Sequence, residues 1–449
     1  MPFDPPVSFS LPSASLFSFP PNNNPSFITP PAPGTSTFAP PFQITDDIYQ
    51  AVLDPKVPIT IAAIYAVTAK LLNVYNKSTG KKPWAVSKTL AFKWFVVAHN
   101  VFLAVYSAWT FYGMFGALRR SMVSPLGPTG LSGFVDSVCK LSGPAGLGNA
   151  VLYDETTNTW QSTSPGVALA ADGSPSKNDL GRLWNEGLAF YGWIFYLSKF
   201  YEVIDTLIIL AKGKLSSTLQ TYHHAGAMMC MWAGMRYMSA PIWMFVFVNS
   251  GIHAMMYTYY TVTSFNIRVP IFIKRSLTTM QITQFLVGAS YAMAHSFVSY
   301  SVPVALTSTK GADRSASASA VANNGSAAPA VGVMDSIKGA YSYKTVPCVS
   351  NNGATFAVWL NVFYLAPLTY LFVSFFIESY LRRSNAAEKK AAAHKKGGAS
   401  RRLSNNMVMA EKAGWEAAKN VEREVYGESN EGAVSNDKSN GGRMLRNRQ

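Results

Sequence analysis

The stretch Lys199-Phe-Tyr-Glu202-Val-Ile-Asp205-Thr206, followed after a short basic link by Gln220-Thr-Tyr-His223-His224, decides how the chain is read. On a helix, Lys199, Glu202, Asp205 and Thr206 fall at i, i+3, i+6 and i+7 and share one face. The opposite face carries Phe200, Tyr201, Val203, Ile204, Leu207 and Ile208. A soluble amphipathic helix could carry the same stripe, but the apolar sequence around this one runs on too long. In a membrane the charged stripe must face a protein interior or a water-filled cavity, where ionisable groups mark functional sites.

The composition agrees. Hydrophobic residues make up 49% of the 449 and charged residues only 14%, against a usual quarter charged. The net charge is +15, concentrated in residues 382–402 and 443–448. That distribution predicts a basic tail beside a lipid surface and no nucleic-acid partner. Three cysteines are too few for a disulfide framework or a structural zinc site. The opening Met1-Pro-Phe-Asp-Pro-Pro lacks the basic and apolar regions of a cleaved signal peptide, so the first span is expected to act as an uncleaved one.

Residues 1–44 form a Pro-rich arm, expected to be disordered. Apolar segments at 57–75, 89–116, 185–211, 218–235, 241–264, 276–301 and 354–379 predict an all-α, polytopic membrane domain over 45–385 with about seven transmembrane helices. Residues 117–184 and 302–353 read as long polar loops, and 386–449 as a basic tail. Lysines and arginines crowd the links after the first, third and fifth spans, as they do the tail. The positive-inside rule therefore makes those sides cytosolic and puts the N-terminus and both long loops on the other side.

Further polar stripes follow. Asn100 lies on the second span. Asn249, His253, Tyr257 and Tyr260 sit at i, i+4, i+8 and i+11 of the fifth, and Thr278, Gln281 and Gln284 open the sixth. With the predicted orientation these groups, Glu202 and Asp205, and His223 and His224 converge at one depth, as an active site open to the cytosol would require. Isolated interhelical hydrogen bonds are the plainer account of any one of them. The chain has six histidines, a small set for a di-iron desaturase or hydroxylase. A mononuclear zinc on His223 or His224 with His253 and Asp205 is an alternative, as is a seven-helix transporter or receptor. The metal-free reading is acyl transfer, with a neutral imidazole as nucleophile or base and Asp205 or Glu202 fixing its tautomer. Cys230 is a rival nucleophile or a small core residue.

Lys199-x-x-Glu202-x-x-Asp205-Thr206, Gln220-x-x-His223-His224, His253-x-x-Met256-Tyr257-x-Tyr259-Tyr260 and Thr278-x-x-Gln281-x-x-Gln284 resemble, in order, the four signature boxes of the ELO-type fatty acid elongases. The resemblance implies a ring of helices around a tunnel in the endoplasmic reticulum membrane, with a lumenal N-terminus and a cytosolic C-terminus. It implies a 3-oxoacyl-CoA synthase that condenses acyl-CoA with malonyl-CoA and needs no cofactor. Its product would pass to a ketoacyl-CoA reductase, a dehydratase and an enoyl-CoA reductase, and a homodimer is possible within the family. His223 maps to the acyl acceptor, with His224 and His253 assisting. Lys199, Lys214 and Lys274 map to binding of CoA phosphates. Many members carry a histidine where this chain has Gln220.

The lumenal placement of both long loops predicts a Cys139–Cys348 disulfide, the alternative being two free buried thiols. It also makes Asn324-Gly-Ser326 a glycosylation acceptor. Met228, Met229, Met231, Met255 and Met256 would form a soft tunnel wall. The segment from Gln220 to Trp232 resembles fungal elongases of polyunsaturated chains.

Overall fold

The computed structural model describes residues 6–24, 28–32, 40–162, 164–305 and 341–393. The fold is organised around α5 (Ala189–Tyr201). Every residue from Ala189 to Tyr196 is buried, as are Ser198 and Lys199. A helix buried on nearly every side is enclosed by its neighbours.

Around it stand α2 (Lys56–Ser78), α3 (Leu90–Ser121), α6 (Val203–Ala211), α7 (Thr218–Arg236), α8 (Ile242–Ser264), α9 (Ile271–His295) and a last helix, Asn352–Ala393. α3 runs along α8, α7 packs against α2, α5 and the last helix, and α9 lies on the last helix. The outward faces are apolar. Ile59, Ile64 and Leu71 on α2, and Trp94, Val105 and Tyr112 on α3, are exposed. Apolar surface of that extent belongs against lipid. Three helical stretches, Lys56–Ser78, Leu90–Ser121 and Asn352–Ser374, are long and apolar enough to cross a membrane.

The remaining expected spans are less regular, because they carry the polar groups. The third divides into a π-type turn at Trp184–Leu188, α5, and α6 beyond Glu202. The sixth starts earlier than expected, at Ile271, and stops at His295; the residues that should have completed it enter a strand.

The largest differences lie outside the helices. The arm was expected to be disordered, yet its described residues are docked. β1 (Val7–Phe9) pairs antiparallel with a strand at Val298–Ala305, which pairs in turn with Tyr341–Pro347. The short helix α1 (Asp46–Val52) follows, and its buried Tyr49 hydroxyl donates to the Ala189 carbonyl at 3.0 Å. Trp184 Nε1 donates to the Ile28 carbonyl at 2.8 Å. A Pro- and Ser-rich segment cannot build a core of its own, but it can complete one that is already there.

The first long loop is likewise structured. It contains α4 (Gly130–Cys139) and a hairpin of β2 (Val151–Asp154) with β3 (Thr159–Ser162). The strand that pairs with β1 is therefore β4 (Val298–Ala305), the strand beyond it is β5 (Tyr341–Pro347), and the last helix is α10.

Together these pieces form a cap over one end of the bundle. Arg182 and Asp136 are paired at 2.8 Å, both buried, and the Tyr300 hydroxyl donates to the same carboxylate at 2.7 Å. Lys140 Nζ donates to the carbonyls of Pro347 and Cys348 at 2.7 and 3.0 Å. Cys139 and Cys348 are joined by a disulfide, with Cα atoms 5.0 Å apart. Asn324 and the tail from residue 394 onward lie outside the described residues.

Candidate active site

The site begins with a link. Gly213 has a φ of +76°, and a Cβ there would lie 2.5 Å from the Lys81 carbonyl oxygen. Only glycine lets the segment between α6 and α7 lie against the segment between α2 and α3. Asn76 secures the contact by donating to the Leu210 and Lys214 carbonyls, each at 2.8 Å, while Trp84 Nε1 donates to its side-chain oxygen. Ser217 then caps α7 by accepting from the Gln220 amide. This launches α7 with His224 buried and His223 half-buried.

Two polar clusters result. In the first, Lys199 Nζ donates to Glu202 at 2.7 Å and to Asn249 at 3.2 Å. Ser198 also donates to Glu202, at 3.0 Å, and His253 Nδ1 approaches the same oxygen at 3.5 Å. Asn249 passes the chain on by donating to Gln284 at 3.2 Å. In the second cluster, Asp205 meets His99 Nε2 at 2.8 Å and accepts from the Tyr257 hydroxyl at 2.6 Å.

Between α5, α7, α8, α9 and α10 lies a pocket. Its lining combines polar Lys199, His223, Asn249, Gln284 and Tyr364 with apolar Met231, Met244, Phe245, Phe285 and Leu365. His223 Nδ1 is 3.0 Å from the Tyr364 hydroxyl. The His223 and His224 rings are 5.4 Å apart, and His224 also packs edge-on against Tyr65 at 6.0 Å.

The other sequence candidates fall around this centre. Thr206 shares a hydrogen bond with Tyr65 at 2.8 Å. Gln220 accepts from Ser216 at 3.4 Å. Tyr260 packs beside Tyr257, with ring centres 6.2 Å apart. Gln281 donates to the Met256 sulfur at 3.3 Å, and Thr278 bonds back to the Lys274 carbonyl at 3.1 Å. Lys274 is buried with its ammonium 5.5 Å from the Tyr259 ring centre. Lys214 lies half-exposed in the link. Asn100 is buried on α3, but its neighbour His99 is the residue that reaches Asp205.

Three expectations change, and the alternatives for Cys230 are decided. Lys199 was assigned to CoA phosphates, yet it is buried and bonded to Glu202 and Asn249, because an ammonium in an apolar interior needs a carboxylate at once. Neither carboxylate is bonded to His223: Asp205 takes His99, Glu202 takes Lys199, and the partner of His223 Nδ1 is Tyr364. Of the five methionines proposed as tunnel wall, Met231 lines the pocket; Met244, which was not named, lines it too, whereas Met255 faces outward. Cys230 is buried against the Leu360 carbonyl, the setting of a core residue.

His99 and Tyr364 went unassigned for different reasons. A histidine in an apolar helix is a usable signal, and His99 carries it. Tyr364 sits in a run of ordinary apolar helix and gave none. Among the described residues, the metal-capable donors that converge are Cys139, His295 and Cys348, and both sulfurs are consumed in the disulfide.

No solved structure matches the chain. It is 34% identical over 105 residues to a human protein named very long chain fatty acid elongase 3, covering 23% of this chain and 39% of that one. It is 37% identical over 108 residues to fatty acid elongase A of Dictyostelium discoideum, covering 24% and 39%. Against fatty acid elongase 2 of Trypanosoma brucei it is 30% identical over 125 residues, covering 28% and 46%. The matched part spans less than half the length of these curated relatives. The profile of the ELO: GNS1/SUR4 family matches residues 50–388, which takes in every residue of the site described above, and the chain belongs to that family.

Proposed function

We propose that the chain is a fatty acid elongase that condenses an acyl-CoA with malonyl-CoA, giving a 3-oxoacyl-CoA, CoA and carbon dioxide. One observation carries the reading: His223 lies in the wall of a pocket that sets polar groups, Lys199, Asn249 and Gln284 among them, beside apolar walls. The names of the relatives point the same way.

In this mechanism the Nε2 lone pair of His223 attacks the thioester carbonyl. The new C–N bond replaces the C–S bond, CoA leaves as thiolate, and the imidazole proton neutralises it. Decarboxylation of malonyl-CoA supplies a carbanion that attacks the acyl-imidazole. A C–C bond forms, the C–N bond breaks, and a proton taken up from solvent regenerates the neutral histidine. His224 and His253 stabilise the developing enolate and oxyanion. Glu202 holds Lys199 and His253 in place, and Asp205 holds His99 and Tyr257. The acyl chain occupies the apolar part of the pocket.

Exposed Lys81 and Lys82 and half-exposed Lys212 and Lys214 stand on the two apposed links. They suit the phosphates of CoA better than buried Lys199 or Lys274 do. The site faces the cytosol and the cap faces the lumen of the endoplasmic reticulum, with the N-terminus lumenal and the C-terminus cytosolic. The 3-oxo product passes to a reductase, a dehydratase and an enoyl reductase. Bent polyunsaturated chains are the preferred substrates, since Met231 and Met244 give the pocket adaptable walls.

The test is expression in an elongase-deficient host, feeding γ-linolenic and palmitic acids, with His223→Ala as control. Malonyl-CoA-dependent extension that the substitution abolishes is the expected result. Extension by His223→Ala at the native rate would overturn the mechanism, and extension of palmitate alone would overturn the chain preference.

A further inference from the structure

We infer that Tyr364, on α10, is the residue that selects the tautomer of His223, a role that rests on the reading of His223 as acyl acceptor. Its hydroxyl lies 2.9 Å from the His223 backbone carbonyl and 3.0 Å from the His223 Nδ1. Two oxygens at the first distance need a hydrogen between them, and only the tyrosine has one to offer. With that hydrogen spent on the carbonyl, the hydroxyl can only accept from Nδ1. The proton of the neutral imidazole therefore resides on Nδ1, and the lone pair on Nε2.

The surrounding packing holds this arrangement. Gly226 is one helical turn beyond His223, and a Cβ there would run into the Tyr364 ring. The Tyr222 hydroxyl donates to the Tyr364 carbonyl at 3.2 Å. Tyr222 and Tyr364 also pack ring on ring, 5.5 Å between centres. The helix carrying the nucleophile and the helix carrying its orienting group are thereby locked in register.

A tyrosine suits the task better than a carboxylate. It accepts from Nδ1–H without placing a full negative charge in the pocket, where an unpaired carboxylate would be costly. When the acyl group is on Nε2, the same Nδ1–H···Oη bond bears part of the positive charge until the proton departs.

The experiment uses the full-length protein in detergent or nanodiscs. Nitrogen-15 histidine spectra, with His223 assigned by difference from His223→Ala, read the tautomer directly. Acyl transfer from labelled acyl-CoA in the absence of malonyl-CoA reads the acylation step. Tyr364→Phe keeps the ring; it should give mixed Nδ1 and Nε2 signals and slow acylation about tenfold, with the KM for malonyl-CoA unchanged. Gly226→Ala, which keeps every hydroxyl but displaces the ring, should do the same. A native spectrum and a native acylation rate in Tyr364→Phe would overturn the inference alone. Labelling that survives His223→Ala would overturn the reading of the nucleophile beneath it.

Discussion

His99 and Asp205 are 106 residues apart in the chain and 2.8 Å apart in space. The contact ties α3 to α6, and the same carboxylate accepts from Tyr257 on α8. Three helices are fixed around one carboxyl group that the solvent scarcely reaches, with 12% of its side chain exposed.

His99→Ala should therefore destabilise the protein by about 1–3 kcal/mol, the cost of leaving a largely buried acceptor short of a partner. His99→Asn, able to donate from nearly the same place, should recover part of that loss. Thermal unfolding of both variants in detergent decides the matter. Equal midpoints for His99→Ala and the native protein would show that the bond does not hold the helices.

Glu202 neutralises Lys199 where water cannot. Glu202→Gln should cost about 3–5 kcal/mol, because it strands a buried ammonium. The double variant Lys199→Met/Glu202→Gln removes both charges and should be more stable than the single one. A double variant as unstable as the sum of two singles would refute the pairing argument. Condensation should be lost in each case, since His253 loses its neighbour.

The pocket should measure its guest through Met231 and Met244. Met231→Trp or Met244→Trp fills space beyond His223 and should shorten the longest product without altering the rate on short acyl chains. Product profiles by gas chromatography are the readout. An unchanged profile with both substitutions would place the acyl chain elsewhere.

The cap should respond to alkali. Burial pushes the Lys140 ammonium down to about 7 from its ordinary 10.5, opposed by the Asp136 carboxylate and reinforced by Arg182. An uncharged amine still has two hydrogens for its two carbonyl partners. Between pH 7 and 10.5 the unfolded chain holds more protons than the folded one, so stability should rise with pH across that window. Below it the penalty is constant. Lys140→Met should remove the rise, and melting curves at about pH 7.5 and about pH 9.5 compare the two proteins. A native protein whose midpoint falls over that interval would contradict the sign.

How much of this the residues announced depends on how far apart the partners lie. The stripe Lys199, Glu202, Asp205 and Thr206 is legible because helical periodicity is local, and Lys199 does bond Glu202 one turn away. Asn249, Gln284 and His253 were legible as stripes on their own helices, though not as partners of particular groups. His99 and Tyr364 act across helices, 106 and 141 residues from Asp205 and His223, and no periodicity spans such distances. The cap was missed for a related reason. β1 is three residues long and pairs with residues near position 300, so nothing near it in the chain marks it as a strand. Composition reported the polarity of these loops correctly, but polarity does not preclude structure once a partner strand supplies the hydrogen bonds.

The bond between Cys139 and Cys348 spans 209 positions, and all of α5 to α9 is made in that interval. A ribosome delivers the first thiol long before the second. The linkage must therefore wait until five helices have been synthesised, and only the final helix remains. Arrested nascent chains ending before residue 348 should carry Cys139 reduced, and a mobility shift should appear only in longer ones; oxidised Cys139 in the short chains would contradict this order. In a maturing population, the oxidised fraction would then count the molecules whose synthesis has passed α9.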